Sequence, residues 1–158
     1  MYVLDGSIMS MKSAWDGIPG GTVRMLCFHP CTLVKLQNNT LKTFAEINPG
    51  DILKNGQIVH GTMNLFNLDN SNNFVESLYE FQGETKDNPI LVSGSHLIFD
   101  TSKQEFIHAK NHPDAILSSS NSKILICLIT SDHTIPLGNY VFHDWEDNQG
   151  SASKNINV

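Results

Sequence analysis

The chain has 158 residues, 40% hydrophobic and only 16% charged, which is enough to bury one core without disulfide or metal staples. A formal net charge of −6 argues against a protein held to nucleic acid by phosphate contacts, and no apolar run reaches the length of a membrane span. Three cysteines make an odd count, so no closed disulfide framework is expected. A reducing, cytoplasmic setting is expected instead, since Met1 onward lacks the basic-then-apolar pattern of a signal peptide.

Residues 1–26 read as a flank punctuated by Gly6, Gly17, Pro19, Gly20 and Gly21, with Trp15 and Ile18 available to pack onto a domain. From Cys31 the pattern turns to strands. Thr32–Leu36 and Thr40–Phe44 flank a turn at Gln37-Asn38-Asn39. Ile47–Leu53 carries a Pro-Gly turn, and Asn55-Gly56 is the strongest short hairpin signal, with Ile58–His60 returning. Asn67–Asn73 is a polar loop, Phe74–Phe81 a candidate strand and Gly83–Pro89 another loop. Ile90–Val92 and Leu97–Phe99 flank the short polar interruption Ser93-Gly94-Ser95-His96. Phe106–Ala109 is a weak strand, and Lys123–Ile129 is the most apolar one, expected to be buried on both faces. Ile135–Phe142 reads as strand, turn and strand, and the tail 148–158 is polar. No segment carries a long helical period, so the expected class is all-β with many short strands.

Three places offer chemistry. Cys27 lies between the loose flank and the first strand, where its thiol can attack the Leu26 carbonyl and replace the amide by a thioester. That step needs a group to protonate the departing nitrogen and donors for the oxyanion. His96 and the hydroxyl of Ser93 stand together in a tight polar turn and suit the first task. Cys127 to His133 places a thiol, Asp132 and His133 at the end of a buried strand, where Asp132 or His133 can act as base and Cys127 can take over the acyl group. Each residue also has an inert use, as a buried structural cysteine or a turn histidine. Cys27, His29, Cys31, Cys127 and His133 would alternatively suffice for zinc, but no Cys-x-x-Cys pair is present and the spacing fits structural zinc poorly.

The ordered set of these segments resembles the hedgehog/intein (Hint) family of self-processing domains. Cys27-Phe28-His29-Pro30-Cys31-Thr32-Leu33-Val34 is similar to the family's first block, and Ile47-Asn48-Pro49-Gly50-Asp51-Ile52-Leu53 followed by Asn55-Gly56 to its continuation. Ser93-Gly94-Ser95-His96-Leu97-Ile98-Phe99 resembles the second block, with Ser93 where Thr is usual and His96 on the catalytic histidine. Leu125–Ile135 resembles the late strand block, with Cys127 near a position held by Asp or Cys in many members. Gly138–Asp147 is similar to phage- or virus-associated members.

The resemblance implies a horseshoe-like all-β Hint domain with pseudo-two-fold symmetry over residues 27–147, after an extein-like leader 1–26 and before the tail 148–158. It implies a cis-acting N–S acyl shift at Leu26–Cys27, then cleavage or acyl transfer to water or a small or protein nucleophile. Cys27 would be the nucleophile, His96 with Ser93 the acid, Asp132 or His133 the base, and Cys127 an accessory. No cofactor, metal, nucleic acid or membrane is called for, the substrate is the flanking polypeptide, and a monomer is expected. A splicing intein ends in His-Asn before Cys, Ser or Thr. Here His143 precedes Asp144, so N-terminal cleavage is expected rather than splicing. The alternative is a catalytically silent Hint-fold module, kept for shape or binding in a viral or phage protein.

Overall fold

Alternating apolar and polar runs, broken by Gly, Asn and Pro, become short antiparallel strands. A computed structural model describes residues 2–4, 7–9 and 27–144, and its class is all-β, as the periodicity predicts. In chain order the strands are β1 (Tyr2–Leu4), β2 (Ser7–Met9), β3 (Leu33–Lys35), β4 (Leu41–Thr43), β5 (Val59–Phe66), β6 (Leu78–Thr85) and β7 (Asn88–Ser93). They continue as β8 (Leu97–Asp100), β9 (Glu105–His108), β10 (Ile116–Leu117), β11 (Ile124–Thr130), β12 (Thr134–Leu137) and β13 (Tyr140–His143). Two single 3-10 turns, Phe44–Glu46 and Ala109–Asn111, are the helical elements among the described residues.

Four sheets hold these strands, in the orders β11-β5-β1-β2, β10-β6-β7, β12-β13-β8-β9 and β3-β4. One residue joins the first two. Phe28 bridges Val92 of β7 on one side and Ile126 of β11 on the other, both antiparallel. Its ring stacks on Phe44 at 4.5 Å and meets Phe142 edge-on at 5.2 Å, so the join is also the centre of the main core. Burying each such side chain stabilises by about 1.5–3 kcal/mol. β11 is buried from Leu125 through Leu128, which is why its sequence is unbroken apolar rather than alternating.

Several sequence expectations shift. β5 runs through His60 to Phe66 despite Gly61 and Asn64, because β11 pairs along it from Ile124 opposite Phe66 to Thr130 opposite Val59. Long-range pairing overrides weak local propensity here. The Asn55-Gly56 turn forms, with Gly56 at φ +88°, but it closes only a bridge between Ile52 and Ile58. The strand expected at Phe74–Phe81 begins at Leu78, leaving Phe74 half exposed in the loop.

The loop expected at 83–89 is instead the tip of the β6–β7 hairpin, where Thr85 pairs Asn88. Gly83 is there for close approach, since a Cβ on it would sit 2.3 Å from the Asn88 carbonyl oxygen. Pro136 lies on β12, an edge strand that tolerates its missing donor. The flank 1–26 was read without strands, yet β1 and β2 pair as a hairpin and β1 adds to β5, Tyr2 opposite Leu65. In the sequence, the dipeptide Asp5-Gly6 between them is a hairpin signal. The expected packing of Trp15 and Ile18, and the tail beyond Asp144, lie outside the described residues.

Candidate functional site

The segment Cys27–His29 is held in extended form because Pro30 follows it and Thr32 N–H closes a turn onto the His29 carbonyl at 3.0 Å. Thr32 then anchors the turn to β7, its hydroxyl accepting from Leu91 N–H at 3.3 Å. The result is a three-residue strand inserted between β7 and β11. On the β7 side Ser93 N–H donates to the Cys27 carbonyl at 3.0 Å, and His29 N–H to the Leu91 carbonyl at 2.9 Å. Cys27 N–H donates to Ser93 Oγ at 3.2 Å. On the β11 side Phe28 and Ile126 exchange both backbone bonds, at 2.7 and 2.8 Å. Cys27 is wholly buried.

The turn after β7 then brings in His96. His96 N–H closes it onto the Ser93 carbonyl at 3.0 Å, and Gly94 has room for no side chain, because a Cβ would meet the Tyr79 ring at 2.8 Å. The buried His96 ring lies 4.6 Å from Phe28 and 5.7 Å from Phe142, centroid to centroid. Its Nε2 lies 2.6 Å from the His143 carbonyl oxygen, and a carbonyl only accepts, so Nε2 carries a proton. Nδ1 is then the acceptor nitrogen of the neutral ring, and it becomes a donor only in the imidazolium form.

A second group forms where β11 and β13 end. His133 stands at φ +67°, left-handed backbone that is uncommon outside glycine, after a turn closed by His133 N–H on the Thr130 carbonyl. Its Nδ1 lies 3.1 Å from the Asp144 carboxylate, which is buried and also accepts from Thr130 N–H at 2.8 Å. His143 Nδ1 lies 3.1 Å from the Asp144 carbonyl, and the His133 and His143 rings are near-parallel at 6.2 Å. A carboxylate on Nδ1 fixes the tautomer that leaves Nε2 as the basic nitrogen, the arrangement of a general base.

Cys127 links the two groups. Burial pushes its thiol up, the neighbouring Cys27 side chain adds to this, and the Asp144 carboxylate adds a smaller push. Of the residues singled out from sequence, Cys27, Ser93 and Cys127 thus meet in one place, with His96 on the same turn as Ser93. His133 joins through Asp144. Asp132 does not; it is exposed, and its carboxylate accepts from Thr134 Oγ1 at 2.6 Å and Thr134 N–H at 3.2 Å. The carboxylate on His133 is that of Asp144, which in the sequence stands out only as the residue where a splicing intein has asparagine. The signal lay in an adjacent His-Asp pair ending an alternating strand. Leu26 lies outside the described residues.

The zinc alternative loses its ligand set. Cys31 is exposed, and His29 Nδ1 accepts from Cys31 N–H at 3.0 Å. Among the described residues no three His, Cys, Asp or Glu side chains are grouped to hold a metal. A hollow of about 330 Å³ beside Phe99, His112, Asp114 and Tyr140 is lined by none of Cys27, Ser93, His96, Cys127, Asp132 and His133. Among the described residues no helix is long and apolar enough to cross a membrane.

Fold and site together define a class: an all-β domain with a buried thiol, hydroxyl and imidazole gathered where the short strand Cys27–His29 enters the core. No protein-family model matches the chain, and no curated protein matches it.

Proposed function

We propose that the chain is a self-processing domain of the hedgehog/intein type, with the horseshoe arrangement that family implies, and that it acts on its own Leu26–Cys27 bond. One observation carries the reading: the Cys27 amide, whose nitrogen would leave, donates to the Ser93 hydroxyl at 3.2 Å. A hydroxyl there fixes the orientation of the scissile amide, and its own proton can pass to the nitrogen once attack has made the carbonyl carbon tetrahedral. Cys27 Sγ attacks the Leu26 carbonyl, the thiol proton passes to a base, and the Cys27 nitrogen takes a proton as the C–N bond breaks. The products are a Leu26 thioester on Cys27 and a free amine, an isomerisation that needs no cofactor. His96, with Nε2 anchored on the His143 carbonyl, has the fixed ring that proton delivery requires, and it delivers only as imidazolium. His133 on Asp144 is the candidate base. Water or another nucleophile then opens the thioester.

The test is the intact mass of the chain carrying an N-terminal tag, with and without a small thiol, beside Cys27→Ala. The expected result is thiol-accelerated scission at Leu26–Cys27 in the parent alone. A chain unbroken for days under both conditions overturns the proposal. The silent module of the same fold is then the reading to keep, and the complete burial of Cys27, and of His96 against Phe28 and Phe142, supports it.

A further inference from the structure

The geometry points to a second chemistry for the proposed nucleophile: Cys27 and Cys127 are a reversible disulfide pair, and closing it takes the Cys27 thiol out of use. Phe28 and Ile126 exchange both backbone hydrogen bonds in antiparallel sense. The next pair along, Cys27 and Cys127, therefore faces across a non-hydrogen-bonded position, where Cα atoms lie about 4.5 Å apart and side chains share a face. A disulfide spans Cα separations of about 4.4–6.8 Å, so no strand has to move far to accept one. Both thiols lie in one buried cluster with Leu65, Leu78 and Leu125, and Cys127 Sγ reaches the Leu128 carbonyl at 3.5 Å. The nearness of the Cys27 sulfur adds to burial in pushing the Cys127 thiol up, in keeping with that placement. The third cysteine, Cys31, is exposed and belongs to a different surface.

The oxidant is a small peroxide, because a buried pair is closed to bulky disulfides. One thiolate attacks a peroxide oxygen, giving a sulfenic acid and releasing water. The second sulfur then attacks the first and expels a second water, so two thiols and one hydrogen peroxide become one disulfide and two waters. A dithiol reductant returns both thiols. Closure also ties the Cys27–His29 strand to β11. Its effect on processing rests on the function proposed above, but formation of the bond does not.

The test uses the full chain carrying Cys31→Ser, treated with hydrogen peroxide, alkylated, digested and mapped by mass. The expected result is one linked peptide joining Cys27 to Cys127 with loss of two hydrogens, faster at higher pH, reversed by dithiothreitol and absent in Cys127→Ser. Peroxide that leaves both thiols open to alkylation in the unfolded chain, or adds oxygen to each separately, overturns the inference. In parallel, a chain that cleaves when reduced should stop when oxidised and resume on reduction. A linked peptide in a chain that never cleaves leaves the disulfide standing and removes the function. Cleavage that continues unchanged in the fully linked chain removes Cys27 as nucleophile.

Discussion

His133 shows how a single residue can carry strain for placement. Its left-handed backbone costs on the order of 1–3 kcal/mol, and the turn it makes brings the imidazole onto the buried Asp144 carboxylate. If His133 is the base, His133→Ala should slow thiol-induced scission about 10²-fold, whereas Asp132→Asn should leave the rate unchanged, since that carboxylate is occupied by Thr134. Equal effects from the two substitutions, in the same mass assay, would reverse the assignment. Tyr140 offers a test away from the site. Burial first, then the hydrogen bond to Asp114 at 2.7 Å, push its hydroxyl up to about 12. An alkaline absorbance titration should therefore show late tyrosine ionisation from Tyr140, and Asp114→Asn should bring it down. The native state keeps this proton longer than the unfolded chain, whose tyrosines titrate near about 10. The stability it contributes is complete below that pH and is lost as pH rises toward 12.

At the scale of elements, burial separates strands that matter from strands that decorate. Leu128 on β11 is wholly buried, and Leu128→Ala should cost about 2–5 kcal/mol in a urea titration. Ile116 on the edge strand β10 is 66% exposed, and Ile116→Ser should stay within about 0.5 kcal/mol. A comparable loss from both would mean that β10 is covered in solution. The β6–β7 hairpin tests close approach instead. Gly83→Ala drives a Cβ into the Asn88 carbonyl, so the strands must separate, at a cost of about 1–3 kcal/mol.

Across the whole molecule, Phe28 is where two sheets and the largest aromatic cluster meet. Opening that residue requires breaking pairs on both sides and unstacking Phe44 and Phe142. The amides of Phe28 and Ile126 should therefore exchange hydrogen only through global unfolding, while those of the loop 70–72 exchange far sooner. Fast exchange at Phe28 would show a join that opens locally, and Cys27 would then be reached without unfolding.

The sequence by itself determined the all-β class, the tight turns at Asn55-Gly56 and Gly138-Asn139 and the two-sided burial of β11, and it supplied as candidates Cys27, Ser93, His96, Cys127, Asp132 and His133. These are local properties, written in the spacing of apolar residues and in the few residue types that fit each turn. Only the tertiary structure decided that β5 continues to Phe66, that Asp144 rather than Asp132 lies on His133, and that Cys27 faces Cys127 across a strand pair. Those facts join residues far apart in the chain. Which distant strands pair is settled by how much apolar surface the whole arrangement buries, and no local window of sequence contains that sum.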